Sequence, residues 1–110
     1  MPQYMLLLHG DPTAWMHMSP EEMQKATEKF AAWSQKPFTR DGKRLADEPG
    51  KVLKPGQKRA TDGPYSETKE VLGGYYTIEA ASYDEAVKLT LDHPTLEYGG
   101  TIEIRHVWGT

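Results

Sequence analysis

Residues 74–91 read GYYTIEAASYDEAVKLTL, and this stretch predicts a strand followed at once by a helix. Successive side chains of a strand point to opposite faces of its sheet. The segment Gly74–Ala80 alternates in this way, with Tyr76, Ile78 and Ala80 on one side and Tyr75, Thr77 and Glu79 on the other. It is therefore predicted to be a strand with one apolar side and one more polar side.

A helix is predicted to begin after Ser82, because the serine hydroxyl can cap the first turn and Glu85 occupies the third helical position. The helix is predicted to end before Pro94, since a residue that precedes proline disfavours helical angles. Its buried stripe is predicted to consist of Tyr83, Ala86, Val87 and Leu91.

The same order of strand and helix occurs at the start of the chain. The apolar run Tyr4–His9 predicts a buried strand. Ser19 and Glu22 form another capping pair, so a second helix is expected to extend to about Gln35. Its apolar stripe is Met23, Ala26, Phe30 and Trp33. The segment Thr101–Trp108 alternates again and predicts the last strand.

The middle of the chain is polar and rich in turns. We predict a short strand near Arg44–Ala46 and weaker strands at Val52-Leu53 and Lys58–Thr61. Asp62-Gly63-Pro64 predicts a firm turn, because glycine adopts backbone angles that a side chain forbids and proline fixes the exit. A single helical turn is predicted within Ser66–Val71.

Two helices and about four strands in this order indicate one α+β domain over residues 1–110, of the β-α-β-β-α-β type. Its sheet is predicted to be antiparallel, with both helices on one face. The first strand is apolar on both sides, so the face without helices also needs a cover. A second copy of the chain is the natural cover, and we expect a homodimer whose sheets pack face to face.

The composition argues against several classes of protein. The 110 residues contain no cysteine, which removes disulfide frameworks and thiolate zinc sites. A net charge of −3 without a long basic stripe argues against a nucleic-acid partner. No segment has the length of a membrane span or the form of a signal peptide. We expect a cytoplasmic protein with no membrane association, metal or cofactor.

The segment Thr61–Glu70, followed by Leu72–Tyr76, resembles the signature of the YCII-related proteins. More narrowly, it resembles the DGPF branch, whose name-giving tetrapeptide stands here as Asp62-Gly63-Pro64-Tyr65. The resemblance implies a ferredoxin-like α+β domain that dimerises as an α+β barrel. Some related domains are attached to transcription sigma factors, and one relative is a dehydrochlorinase.

In the dehydrochlorinase type, a histidine on the first helix and an aspartate just before a proline form the proposed catalytic pair. Here no histidine lies between Ser19 and Asp92, and the residue before Pro94 is His93. That pair therefore does not carry over to this chain.

Three residues are candidates for catalysis. Asp62 can act as a base or simply hold its turn by accepting backbone N–H groups. His93 can titrate near neutrality beside Asp92, or only interact with the end of a helix. Lys69 can stabilise the charge of an anionic or enol-like substrate, or belong to an ordinary solvated surface.

Six further residues are candidates for substrate binding. His9 ends the first strand, where central strands deliver side chains to a pocket. Tyr65, Glu67 and Glu70 belong to the motif region, whereas Tyr75 and Arg105 belong to the polar sides of their strands. The polar sides can line a small pocket between two sheets, or form a plain ion-paired dimer interface.

Two classes of function follow from these residues. The first is a cofactor-independent small-molecule enzyme that performs proton transfer or elimination with Asp62, His93 and Lys69. The second is a non-catalytic ligand-binding or transcription-associated regulatory module. A purely structural dimer is the third reading.

Overall fold

The computed structural model describes residues 1–65 and 68–110. The elements in chain order are β1 (Gln3–Gly10), a 3-10 helix (Pro12–His17), α1 (Pro20–Ser34), β2 (Thr39–Arg44), β3 (Lys51–Val52), β4 (Thr61–Asp62), β5 (Val71–Glu79), α2 (Tyr83–Thr90), α3 (Pro94–Glu97) and β6 (Thr101–His106). None of the helices in these two ranges is long and apolar enough to cross a membrane.

Four strands form one sheet in the order β2-β5-β1-β6, and every neighbouring pair is antiparallel. The predicted α+β class with a ferredoxin-like, antiparallel four-stranded sheet is confirmed. The short strands β3 and β4 pair separately, as a hairpin inserted between β2 and β5.

The core lies between the sheet and the helices. Leu6 of β1 and Ile78 of β5 are wholly buried at the centre of the sheet. Trp33 of α1 and Ala86 of α2 pack against the same side of the sheet, so both helices cover one face as predicted. The opposite face carries the alternate side chains of the strands and has no helix on it; we call it the bare face.

The helix starts are confirmed, whereas the predicted stripe of α2 is right for Ala86 and wrong for its other three residues. The hydroxyls of Ser19 and Ser82 accept the backbone N–H of Glu22 and Glu85 respectively. In α2, however, Ala86 and Thr90 are buried, while Tyr83, Val87 and Leu91 are largely exposed. A two-turn helix touches the sheet along one line, and here that line contains Ala86, Thr90 and the partly buried Leu89.

The strand predicted near Arg44–Ala46 instead occupies Thr39–Arg44. The position of this strand could not be predicted from its polar sequence, because β2 is an edge strand whose Asp41 and Lys43 point to solvent. Gly42 faces the core side, where an added Cβ would lie 2.6 Å from Cδ1 of Tyr76. Edge strands of this kind lack the apolar run by which buried strands are recognised.

Residues 45–65 leave the end of β2 and carry the β3–β4 hairpin; we call them the arm. The arm reaches back towards β5 through the Asp62-Gly63-Pro64-Tyr65 motif. Of the helical turn predicted within Ser66–Val71, Ser66 and Glu67 lie outside the described residues. Thr68, Lys69 and Glu70 are not helical, and Val71 already belongs to β5.

Candidate functional site

A cleft of about 1210 Å³ lies on the helix-covered side of the sheet, between α1 and the arm. Its inner wall is formed by Leu8, Trp15, Met23, Phe30, Tyr76 and Tyr98. The arm supplies Leu45, Pro49 and Tyr65 to the outer wall. Small-molecule sites are concave and mostly apolar with a few polar groups, and this cleft has that character.

Aromatic rings order the inner wall. The ring of Trp15 lies 6.1 Å from that of Phe30 and 5.5 Å from that of Tyr98. Trp15 belongs to the 3-10 helix, which Asp11 caps by accepting the backbone N–H and the hydroxyl of Thr13. These hydrogen bonds lower the pKa of Asp11. The cap therefore fixes the segment that brings Trp15 to the cleft.

His93 lies beneath this wall and is only 1% exposed. Its ring packs edge-on against Phe30, Trp33 and Tyr76, of which Phe30 and Tyr76 line the cleft. Its Nδ1 accepts the backbone N–H of Thr95 and thereby caps α3, which places the ring proton on Nε2. Nε2 has no hydrogen-bond partner among the described residues.

Burial lowers the pKa of His93 to about 4, with a smaller opposing effect of Asp92 and a lowering effect of Lys36. The histidine is therefore neutral at pH 7, which corrects the expectation that it titrates near neutrality. Desolvation outweighs the neighbouring carboxylate because the ring is enclosed by aromatic groups.

Asp92 does not hydrogen-bond to the His93 ring. Its carboxylate accepts a hydrogen bond from Nε1 of Trp33 at 3.0 Å and another from Nζ of Lys36. The Lys36 and Trp33 hydrogen bonds lower the pKa of Asp92. Asp92 thus ties the end of α2 to α1 rather than orienting an imidazole.

Asp62 is on the hairpin of the arm, where its carboxylate is 2.5 Å from Nζ of Lys51. Its side chain is 80% exposed, and no hydrogen bond joins it to the buried His93 within the described chain. Lys69 is also exposed and lies near enough to Asp11 to help lower its pKa. One chain alone therefore does not assemble these three residues around a common point.

Three of the predicted binding residues lie on the bare face. The carboxylate of Glu103 has two neighbours here: its Oε1 is 3.3 Å from Nε2 of His9, and its Oε2 is 3.5 Å from Nη1 of Arg105. On the other side of β1, the hydroxyl of Tyr75 donates to Asp41 at 3.1 Å. This hydrogen bond is the main cause of the raised pKa of Tyr75.

The remaining predicted binding residues border the cleft or fall outside the description. Glu70 lines the cleft and accepts a hydrogen bond from the hydroxyl of Thr101 at 3.3 Å. Tyr65 lines it too and is 85% exposed. Glu67 lies outside the described residues. The cleft thus receives Tyr65 and Glu70 from the motif region and is also bordered by His9, whereas Tyr75 and Arg105 face the other side of the sheet.

The aromatic wall was missed from the sequence. Phe30 packs against the core, as its place on the helical stripe with Trp33 predicts, but it is only half-buried and also lines the cleft. Trp15 and Tyr98 belong to no periodic pattern and are brought together only by the tertiary fold. The one available signal is Trp15 itself, a large aromatic residue in the short connection between β1 and α1.

The motif glycine is required for space rather than for its backbone angles. Gly63 donates its N–H to the carbonyl oxygen of Gly50, and it precedes Pro64 through a cis peptide bond. A Cβ at this position would lie 2.1 Å from the carbonyl oxygen of Pro49. The motif therefore holds the two sides of the arm in direct backbone contact.

We expect Gly63→Ala to loosen the arm, because the added methyl group forces two backbone segments apart. Overpacking of this kind costs about 1–3 kcal/mol, which corresponds to roughly tenfold or more in local opening. Amide hydrogen exchange at residues 50–52 and 61–63 measures it. Gly10→Ala is the matched control, since no atom lies within 4 Å of the added Cβ. Equal exchange in both variants would contradict the assigned role.

Within residues 1–65 and 68–110, no three acidic or histidine side chains gather as a ligand set for a metal ion.

Comparisons with known proteins give a family and a short stretch of similarity to another protein. The family model described as the YCII-related domain matches residues 2–109. An uncharacterised protein of Rhizobium meliloti (strain 1021) is 49% identical over 37 residues, which are 34% of this chain. The matched stretch spans 30% of that protein.

Proposed function

Since the chain belongs to the YCII-related family, we propose a function for its cleft: the binding of a small aromatic or otherwise apolar molecule. The observation that carries the proposal is the aromatic wall of the cleft, whose volume is about 1210 Å³. The wall is formed by Trp15, Phe30, Tyr76 and Tyr98. Aromatic side chains contribute large apolar areas and prefer offset or edge-on contacts with other rings. A planar ring therefore fits this wall better than a flexible polar molecule does.

The cleft also has polar groups at its rim. Arg44 and Glu70 line it beside the apolar surface. Such groups orient a ligand, whereas the apolar wall supplies most of its binding free energy. Binding is proposed ahead of catalysis because Asp62 pairs with Lys51 on the exposed hairpin, and within the described residues it makes no hydrogen bond with the buried His93.

Proton-transfer catalysis is the second candidate, and one observation favours it. His93 is neutral, lies directly beneath two residues of the cleft wall, and has an unpartnered Nε2. A neutral imidazole of this kind can donate a hydrogen bond to a bound ligand if the ring becomes accessible. Asp62 and Lys69 would then have to approach from elsewhere, for example from a second copy of the chain.

Ligand binding is tested with a panel of aromatic carboxylates and phenols against aliphatic carboxylates of similar size. Aromatic compounds are expected to raise the melting temperature, because binding to the native state stabilises it. For each hit, Trp15→Ala is expected to raise the dissociation constant by roughly tenfold to a hundredfold, since an aromatic contact contributes about 1–3 kcal/mol. Isothermal titration calorimetry measures the change.

Trp108→Ala is the matched control for this experiment. Trp108 is 97% exposed and does not line the cleft, so its removal leaves the dissociation constant unchanged. A panel without any stabilising aromatic compound would reject the proposed function. Equal affinity in the Trp15 and Trp108 variants would show that the ligand binds somewhere other than the cleft.

We also propose that the chain works as a homodimer in which two bare faces pack together. The chain exposes 7985 Å² of surface, whereas a compact monomer of 12.4 kDa exposes about 6,100 Å². The surplus is comparable with the area that a large permanent interface covers on each partner. The bare face contains the half-buried Met5 and Leu7 and charges of both signs, which suits a self-complementary contact.

Two narrower assignments complete the proposal. The Asp62-Gly63-Pro64-Tyr65 motif supports membership of the DGPF branch, and the lack of cysteine supports a cytoplasmic location.

A further inference from the structure

The hairpin of the arm makes few contacts with the rest of the described chain, whereas the start of the arm is tied to β5 by the N–H of Leu45, which donates to the carbonyl oxygen of Gly73. Its strands β3 and β4 contain two residues each, and a two-stranded hairpin is marginally stable in water by itself. Leu53 at the hairpin and Tyr65 at its base are 76% and 85% exposed. An apolar side chain at each of these places is therefore mostly open to solvent.

The shape of the molecule agrees with a segment that stands away from the body. The radius of gyration is 15.4 Å, whereas a compact domain of 110 residues has a radius of about 13 Å. The dimensions of 42 × 42 × 19 Å describe a plate rather than a sphere. Part of the surplus surface therefore belongs to the arm.

The hairpin and the rest of the chain carry opposite charges. Residues 51–62 contain four basic residues and one acidic residue, which leaves nine basic and fifteen acidic residues elsewhere. Asp62 already pairs with Lys51. Lys54, Lys58 and Arg59 form no ion pair with any described residue. The hairpin thus presents three free cations beside an exposed leucine.

We infer that the arm of each chain packs against a second copy, where its basic hairpin contacts the acidic body of the partner. The inference rests on the proposed homodimer and adds to it a second contact region outside the bare face. Leu53 supplies the apolar contact, whereas Lys54, Lys58 and Arg59 supply charge complementarity. A second copy is favoured over a polyanion because the rest of the same chain is acidic and the surplus surface needs a cover.

The absence of cysteine permits a direct test by site-specific cross-linking. A photoreactive group is attached to Leu53→Cys, and chains labelled with nitrogen-15 are mixed with unlabelled chains. Peptides that join the hairpin of one isotope to the body of the other are expected. Cross-links confined to a single isotope would overturn the inference.

The role of charge is tested with two double variants of equal net charge. Lys54→Glu with Lys58→Glu is expected to weaken dimerisation roughly tenfold or more at low salt, because close like charges across an interface are repulsive. Lys25→Glu with Lys88→Glu, at exposed positions on α1 and α2, is the control. Sedimentation equilibrium gives both dissociation constants, and equal values would overturn the inference.

The same measurements separate the arm from the dimer itself. A wild-type chain that is still monomeric at a concentration of about 100 μM would reject the homodimer and the inference together. A dimer that Leu7→Asp disrupts but the hairpin variant leaves intact would reject only the role of the arm. A hairpin variant that dimerises normally but no longer binds heparin would assign the cations to a polyanion, which also overturns the inference.

Discussion

Trp33→Ala is expected to lower the free energy of unfolding by about 3–5 kcal/mol, the range for removing a buried aromatic residue. Trp33 is 3% exposed, and its ring lies 5.5 Å from Phe38, 5.2 Å from Tyr76 and 4.5 Å from His93. Its loss would open a cavity at the point where α1 meets the sheet. It would also leave the Asp92 carboxylate with Lys36 as its remaining side-chain partner.

Urea denaturation at pH 7 and a fixed protein concentration measures this loss. The fixed concentration matters because any association of native chains adds to the apparent stability. Trp108→Ala provides a control of the same residue type, and its 97% exposure predicts a change within about 0.5 kcal/mol. Trp33→Phe is expected to lie between them, since it keeps a ring and loses the hydrogen bond to Asp92. A loss below about 1 kcal/mol for Trp33→Ala would contradict its place in the core.

The fold could be predicted where the decisive interactions are local. The caps at Ser19 and Ser82 join residues three positions apart, and the alternation in β1 and β5 is visible over a few residues. The stripe of α2 could not be predicted in the same way. Ala86 and Val87 are both apolar, and only the packing of the helix on the sheet decides which of them is buried.

The candidate site was less predictable because it depends on contacts between distant segments. Trp15 and Tyr98 meet across the fold, and neither belongs to a periodic pattern. The motif did indicate the right region, since Tyr65 and Glu70 border the cleft. The burial of His93 could not be predicted, because the rings that enclose it come from distant segments of the chain.

Acidification from pH 7 to pH 5 is expected to cost the native chain about 2 kcal/mol through His93, rising to about 3 kcal/mol at pH 4. The pKa is about 4 in the folded chain and 6.5 for an ordinary histidine, so the unfolded chain binds the proton first. The contribution of His93 is fully present above pH 6.5 and is lost as the pH falls towards 4. The carboxyl groups of Asp11, Glu79 and Asp92 also have lowered pKa values. Their contributions to the free energy of unfolding are lost mainly at pH values below those at which the contribution of His93 is lost.

Replacement of the imidazole isolates this effect from all others. His93→Asn keeps a side-chain acceptor that can cap α3 and removes the titrating group, so its unfolding free energy should change less between pH 7 and pH 5. His17→Asn removes an exposed histidine from the 3-10 helix and should retain the wild-type slope. The two variants are compared by the slope of the unfolding free energy against pH. Their absolute stabilities are not compared, because a smaller side chain at position 93 also lowers the unfolding free energy at every pH. Identical slopes in the two variants would show that the buried imidazole is not what makes the fold sensitive to acid.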